Sequence, residues 1–199
     1  MSADFSRDLA ATSATFGIPA EQVPLAIPWI YLAGPLFTEG EIEFNAQLAA
    51  TLRSQGYRVY LPQQACAGTA DPAELYRRCI VGLDQAGLVL AILDGTDADS
   101  GTCFELGYAK ARGIPCIGLR TDFRATGEHL GLNLMLTHSC DRLILRVLNP
   151  ASNLDDLVGT QIPITTFDLE TTAASVVTQV LANYPLATLT QTAQDQLID

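Results

Sequence analysis

Four carboxylates lie close together in one short segment of the chain, at Asp94, Asp97, Asp99 and Glu105. Carboxylates at this spacing can bind Ca²⁺, cap a helix, or take part in acid–base and nucleophilic chemistry. A calcium loop of the EF-hand type beginning at Asp94 is disfavoured, because Thr96 and Ala98 would occupy ligand positions three and five and glycine is missing at position six. We therefore expect no metal here. Two interpretations remain, helix capping and acid–base or nucleophilic chemistry on a substrate.

Glu105 fits both of these interpretations. With Thr102 as the N-cap, Glu105 is the third helical residue, and Thr-x-x-Glu forms a capping box that satisfies two backbone amides. A carboxylate in the first helical turn is also kept ionised by the positive end of the helix dipole, and it can then act as a nucleophile. At a sugar carbon with oxocarbenium character it would form a covalent glycosyl-enzyme, with Asp99 as the acid that assists the leaving group.

Alternating strands and helices would position this segment. Buried strands are predicted at 29–34, 57–62, 87–94, 114–120 and 141–148, and helices at 39–56, 71–85, 101–113 and about 169–183. This alternation predicts a doubly wound α/β domain over 29–199, with a five-stranded parallel sheet in the flavodoxin-like order. Residues 1–28 contain three prolines and are predicted to be an N-terminal extension. The site is expected at the carboxyl ends of the strands, where the strand order reverses.

The overall composition narrows the class of protein. The chain has 199 residues, 48% of them hydrophobic, and a net charge of -11, which argues against binding of a nucleic acid polymer. No leader and no apolar run of roughly 18 residues is present, so we expect no contact with a membrane. The five cysteines are scattered and never spaced Cys-x-x-Cys, which is typical of reduced thiols in a cytoplasmic protein rather than of disulfides or a zinc site.

Three segments in collinear order resemble the nucleoside 2-deoxyribosyltransferase family: YLAGPLF from Tyr31, LDGTDADSGTCFELGYAKARGIPCIGLRTDFR from Leu93, and GLNLML from Gly131. The resemblance covers about residues 29–148. It implies a flavodoxin-like fold, a homo-oligomer (dimer or hexamer), and no cofactor. The implied activity moves 2-deoxyribose from one nucleobase to another through a covalent sugar–glutamate intermediate, with deoxynucleosides and free nucleobases as partners, as in nucleotide salvage.

The resemblance also assigns roles to individual residues. Glu105 matches the nucleophile, Tyr31 the tyrosine that orients it, and Asp99 the aspartate that contacts the base and takes part in its protonation. Asn133 matches an asparagine that reaches the sugar 5′-hydroxyl from a neighbouring subunit. The substrate-binding residues implied in this way are Gln63, Gly34, Phe37, Asn133 and Met135.

One position departs from the family pattern, and two other functions remain open. Cys79 stands where many members carry an aspartate that faces the base, so either Asp99 acts alone, Asp84 takes over, or base selectivity differs. The first rival function is hydrolysis of a deoxynucleoside or its 5′-monophosphate, for which Arg120 and Arg124 are candidate phosphate ligands. The second is a non-catalytic nucleotide-sensing module, in which Glu105 is a cap only.

Overall fold

The computed structural model describes residues 29–122, 131–148 and 162–184, which form a parallel β-sheet with helices on both faces. The strands are Trp29–Ala33 (β1), Val59–Tyr60 (β2), Ala86–Ile92 (β3), Cys116–Arg120 (β4), Arg142–Arg146 (β5) and Ile164–Phe167 (β6). The helices are Glu39–Ser54 (α1), Pro62–Ala65 (α2), Pro72–Asp84 (α3), Ser100–Ala111 (α4), Leu134–Ser139 (α5) and Ala173–Ala182 (α6). The predicted N-terminal extension lies outside the described residues.

The strand order confirms the predicted fold class. The sheet runs β2-β1-β3-β4-β5-β6, and every neighbouring pair is parallel. Its first five strands have the flavodoxin-like order, in which the chain reverses direction across the sheet between β1 and β3. A crevice at the carboxyl ends of these two strands is the usual ligand site of such folds.

The predicted number of five strands is wrong, because β6 adds a sixth strand beside β5. Three of the four β6 residues are only half-buried, and two of the four are threonines. An outer strand of this kind lacks the continuous apolar run that marks a central strand, so its sequence does not stand out. The second predicted strand is also shorter than expected, since Pro62 begins helix α2.

Alternating side chains of the sheet face two separate cores. Ile30 and Leu32 of β1 pack with residues of α1 and α6, such as Leu48 and Val177. Tyr31 and Ala33 point the opposite way and belong to the core that includes α3 and α4. Tyr31 therefore lies under α3 and α4, on one face of a strand whose residues are apolar or aromatic on both faces.

No helix within the three described ranges is long and apolar enough to cross a bilayer.

Gly82 lets helix α3 lie directly on the tyrosine rings of this second core. A Cβ at Gly82 would lie 2.6 Å from two ring atoms of Tyr60 and 3.0 Å from Cε2 of Tyr31. The indole nitrogen of Trp29 donates to the Gly82 carbonyl at 2.8 Å, which holds the helix at this height. The absence of a side chain at this position therefore sets the distance between α3 and Tyr31.

We expect Gly82→Ala to lower the free energy of unfolding by about 1–3 kcal/mol, because the added methyl overpacks two buried rings. The matched control is Gly107→Ala on α4, where an added Cβ would meet nothing within 4 Å. That change should raise stability by about 0.5–1 kcal/mol, as expected for alanine in place of glycine inside a helix. Urea unfolding of both variants measures the difference, and equal midpoints would contradict the packing argument.

Candidate active site

Tyr31 and Glu105 form a hydrogen-bonded pair close to the crevice between β1 and β3. The Tyr31 hydroxyl donates to Oε1 of Glu105 at 2.5 Å, and the two residues come from β1 and α4. Tyr31 is fully buried and Glu105 is half-buried. The pairing that the resemblance implied is thus present in the structure as a direct contact.

Asp99, not Thr102, is the N-cap of helix α4. Its Oδ2 accepts from the Thr102 backbone amide at 2.8 Å and from the Thr102 hydroxyl at 3.1 Å. The helix therefore starts three residues earlier than a Thr102 cap requires, and Glu105 lies in its second turn. The predicted capping box is wrong, because aspartate is a better cap than threonine and both were available in the same loop.

The role of Asp99 as the N-cap of α4 can be tested by substitution. We expect Asp99→Ala to lower the free energy of unfolding by about 0.5–2 kcal/mol, whereas Asp99→Asn should keep it within a few tenths because asparagine caps equally well. Thermal or urea unfolding measures both changes. Equal destabilisation by the two substitutions would contradict the capping geometry.

Burial, rather than the helix dipole, controls the charge of Glu105. Burial raises the pKa of Glu105 to about 7, the hydrogen bond from Tyr31 lowers it in part, and the charge of Asp99 raises it further. The expectation that first-turn placement keeps Glu105 ionised is therefore wrong. Burial and the nearby Glu105 charge also raise the pKa of Tyr31, so its hydroxyl stays a protonated donor.

Tyr60 supports the ring of Tyr31, a contact that the sequence analysis missed. The two rings are stacked, with centroids 5.2 Å apart and planes inclined by 12°. The Tyr60 hydroxyl donates to the backbone oxygen of Arg78 at 2.8 Å. Tyr31 and Tyr60 lie opposite each other where β1 pairs with β2. Only a prediction of this strand pairing could have revealed their contact from the sequence.

Residues 30–136 match the family model described as nucleoside 2-deoxyribosyltransferase. The match spans more than half of the chain and includes Tyr31, Asp99 and Glu105. The chain belongs to this family. Membership in the nucleoside 2-deoxyribosyltransferase family indicates an enzyme that acts on nucleosides.

Two solved structures are similar in fold. A conserved protein from Enterococcus faecalis V583 is 28% identical, with 67% of this chain and 96% of that chain covered and a TM-score of 0.51. A 2-deoxyribosyltransferase from Bacillus psychrosaccharolyticus is 22% identical, with 69% and 98% covered and a TM-score of 0.50, which supports the shared fold. A search of curated proteins found no match.

Cys79 lies near Tyr31 and contributes to the raised pKa of the Tyr31 hydroxyl. Asp84, the alternative considered for the missing carboxylate, is engaged elsewhere. Its Oδ1 accepts from the Tyr108 hydroxyl at 2.7 Å and lies 3.4 Å from the Arg112 guanidinium. The described contacts of Asp84 thus serve α4.

Arg120 holds the loop that leads from β3 towards Asp99. It is only 3% exposed, and its guanidinium donates to the backbone oxygens of Leu93 at 2.6 Å and Gly95 at 3.1 Å. These bonds place the guanidinium within the protein and give it a structural role. The sequence had left Arg120 open as a phosphate ligand, and the other candidate, Arg124, lies outside the described residues.

Asp94 joins the loops that follow β3 and β4. Its Oδ1 accepts from the backbone amides of Thr121 and Asp122 at 2.5 and 3.0 Å, and its Oδ2 accepts from the Thr121 hydroxyl. The first carboxylate of the acidic segment is therefore used within the protein. In the part of the chain that the structure describes, no three His, Cys, Asp or Glu side chains come together to hold a metal ion.

The predicted substrate-binding residues near β1 lie on two short segments. Gly34 directly follows β1 and packs closely on Ile92, because a Cβ added at Gly34 would lie 3.0 Å from Cδ1 of Ile92. Phe37, in the same loop, is 76% exposed. Gln63, in α2, donates from Nε2 to the Ile42 oxygen at 3.0 Å. Its Oε1 is buried and has no hydrogen-bond partner among the described residues.

Asn133 and Met135 lie on the surface at the start of α5. Asn133 is the N-cap, and its Oδ1 accepts from the Met135 amide at 2.9 Å. The Met135 side chain is 68% exposed. Both side chains are accessible to another molecule, and their contact with the sugar of a neighbouring subunit stays a prediction.

Proposed function

We propose that this protein transfers 2-deoxyribose between nucleobases by a retaining double displacement, with Glu105 as the nucleophile. The observation that carries the proposal is the 2.5 Å hydrogen bond from Tyr31 to a half-buried carboxylate that has no capping duty. A carboxylate that only stabilised a helix would lie at the cap, a position that Asp99 already fills. Burial and a buried phenolic donor instead suit a positioned nucleophile.

The proposed reaction has two displacements at the anomeric carbon. Because Oε1 of Glu105 accepts from Tyr31, we assign the attack to Oε2. A bond forms between Oε2 and the anomeric carbon, the bond to the base nitrogen breaks, and its electron pair leaves with the base. The base takes a proton from Asp99, which must be protonated in the complex with substrate, and Asp99 becomes a carboxylate. A nitrogen of the second base then attacks the same carbon, gives its proton back to the Asp99 carboxylate and releases Glu105. Two inversions give overall retention of configuration.

The residues of this site suit a 2-deoxy sugar. Without the electron-withdrawing 2-hydroxyl, the oxocarbenium-like state forms more easily, so a small set of carboxylates suffices. Tyr31 stabilises the carboxylate when it is released and holds it in one orientation. No metal or cofactor enters these steps.

We propose a nucleoside rather than a nucleotide as the substrate. Arg120 is buried and donates to backbone oxygens, so it does not offer its charge to a 5′-phosphate. Asn133, from a neighbouring subunit of a homo-oligomer, would bind the free 5′-hydroxyl, and Gln63 Oε1 would accept from the base. Gly34 and Phe37 would border the same pocket from the loop after β1.

A transfer assay tests this proposal directly. The protein is incubated with deoxyinosine and adenine, and both products are followed by chromatography. Formation of deoxyadenosine together with hypoxanthine is expected, and inosine as the donor serves as the control for the 2-deoxy requirement. Hypoxanthine with free deoxyribose and no deoxyadenosine would identify a hydrolase instead. Turnover of deoxyinosine 5′-monophosphate alone would contradict the nucleoside preference.

A second measurement separates an enzyme from a nucleotide-sensing module. With deoxyinosine and no acceptor base, intact-mass analysis followed by peptide mapping should detect a deoxyribosyl adduct on Glu105. A sensor would bind the nucleoside without an adduct and without turnover, and that result would contradict the proposal.

A further inference from the structure

Two cysteine thiols lie against each other beside the Tyr31–Glu105 pair. The Sγ atoms of Cys66 and Cys79 are 3.8 Å apart, and both residues are free and half-buried. Cys79 is also near enough to Tyr31 to raise the pKa of the Tyr31 hydroxyl, and the charge of Glu105 raises the pKa of Cys79. A pair of thiols in direct contact is thus connected to the proposed nucleophile through a single side chain, Tyr31.

Arg78 holds the segment around Cys66 against the helix that carries Cys79. Its Nη1 donates to the backbone oxygens of Ala65 and Ala67 at 3.1 and 3.2 Å, on either side of Cys66. Its Nε donates to Glu74 at 2.7 Å, one turn back on the same helix. The proximity of the two thiols is therefore supported by hydrogen bonds and does not depend on the sulfur contact alone.

Closing the two thiols into a disulfide requires a small movement. Cys66 is the C-cap of the four-residue helix α2, and Gly68, two residues later, has a φ of +83° in the region that favours glycine. A disulfide bond joins sulfur atoms about 2.05 Å apart, so the pair would have to close by about 1.8 Å. We expect this movement to be shared between the end of helix α2 and rotation of the Cys79 side chain.

We infer that Cys66 and Cys79 form a reversible disulfide that switches off the candidate active site. The bond itself is independent of what the site does, whereas its effect on activity rests on the proposed function. The pairing assigns a chemical role to Cys79, the position at which this chain departs from its family's aspartate.

The exchange reaction needs an oxidant, for which a low-molecular-weight disulfide is sufficient. The Cys66 thiolate attacks one sulfur of that disulfide, forms a mixed disulfide and releases one small thiol. The sulfur of Cys79, after losing its proton to solvent, then attacks Cys66, and the second small thiol leaves. Two electrons pass from the protein to the small disulfide. Burial raises the pKa of Cys79 to about 11, which makes it the poorer first nucleophile and favours Cys66 for that step.

The disulfide would disturb the site through Tyr31. Drawing Cys79 towards Cys66 moves its sulfur away from the Tyr31 hydroxyl and removes its thiol hydrogen. Tyr31 is fully buried and bonded to Glu105, so a change in its polar surroundings is passed to the carboxylate. A misplacement of about 1 Å at a reacting group reduces the rate by about a hundredfold.

The test uses the full chain, equilibrated with oxidised and reduced glutathione in different ratios. Peptide mapping without reduction should show a Cys66–Cys79 cross-link, and kcat/KM for deoxyribosyl transfer should fall by about a hundredfold in parallel. Addition of reduced dithiothreitol should restore it. Cys66→Ser should keep full activity in oxidising buffer, whereas the control Cys103→Ser, at another half-buried cysteine, should be inactivated like the natural chain.

The outcomes separate this inference from the proposed function. Absence of the cross-link at every ratio, or equal inactivation of Cys66→Ser, would overturn the disulfide switch. A cross-link with unchanged kcat/KM would overturn its effect on the site. A chain that forms the cross-link but shows no transfer when reduced would contradict the proposed function and still support the disulfide.

Discussion

Replacing Glu105 with glutamine is expected to lower kcat for deoxyribosyl transfer by about 10,000-fold or more, as removal of a nucleophile does in other enzymes. Glutamine keeps the shape of the side chain and an oxygen that can accept from Tyr31. It lacks the ionised oxygen that forms the bond to the sugar. The assay with deoxyinosine and adenine measures the loss. The control is Glu43→Gln, an exposed glutamate on α1 that should retain full activity.

The same substitution is expected to stabilise the fold above pH 7. The pKa of Glu105 is about 7 in the folded chain against an ordinary value of 4.5, so between these values the folded chain binds more protons than the unfolded chain. The free energy of unfolding then falls as the pH rises through this range, and above pH 7 the full penalty for burying the charge is present.

At pH 8, Glu105→Gln should therefore gain about 1–3 kcal/mol, a range that allows for partial solvent access. The gain should shrink towards zero as the pH falls below 4.5, where both states of the natural chain become protonated. Urea unfolding at the two pH values measures it. A loss of stability at pH 8 would show that Glu105 has a structural role after all.

The second large effect is expected in the pH dependence of the reaction. Because Glu105 must be ionised to attack, kcat/KM should rise with pH and reach a plateau above an apparent pKa of about 7. Tyr31→Phe removes a hydrogen bond that lowers this pKa, so the rise should move to higher pH by about one to two units. At pH 7 the variant should lose about fivefold to fiftyfold in kcat/KM, because the ionised fraction of Glu105 falls with the shift.

Tyr60→Phe is the control for this shift. It keeps the stacked ring beside Tyr31 and removes only the hydroxyl that donates to the Arg78 backbone oxygen. Its profile should therefore still rise near pH 7. A natural chain whose activity rises near pH 4.5, or a Tyr31→Phe profile that does not move, would contradict the role assigned to the Tyr31–Glu105 pair.

The pKa of Glu105 thus depends on two opposing effects. Burial favours the neutral acid, and the Tyr31 hydrogen bond favours the anion. A nucleophile with a pKa close to neutral is ionised in a large share of molecules at physiological pH, and it is less strongly solvated than an exposed glutamate. The proposed Cys66–Cys79 disulfide would change the pKa of Glu105 indirectly, by altering the surroundings of the Tyr31 hydroxyl.

The amino-acid sequence alone determined the order and type of most elements and pointed to Glu105. Apolar runs such as 87–94 and the Asp71–Pro72 helix start are local signals, because burial on both faces and capping depend on neighbouring residues. The collinear motifs pointed to the family in the same way, since each motif is a continuous stretch of chain.

Only the tertiary structure decided which groups meet. Tyr31 and Glu105 are 74 residues apart in sequence, and their contact depends on how α4 packs against β1 in the folded chain. The choice of Asp99 over Thr102 as cap, and the engagement of Arg120 with backbone oxygens, also depend on loop geometry. The charge state of Glu105 follows from this arrangement, because desolvation is a property of the folded surroundings and not of the residue or its neighbours in sequence.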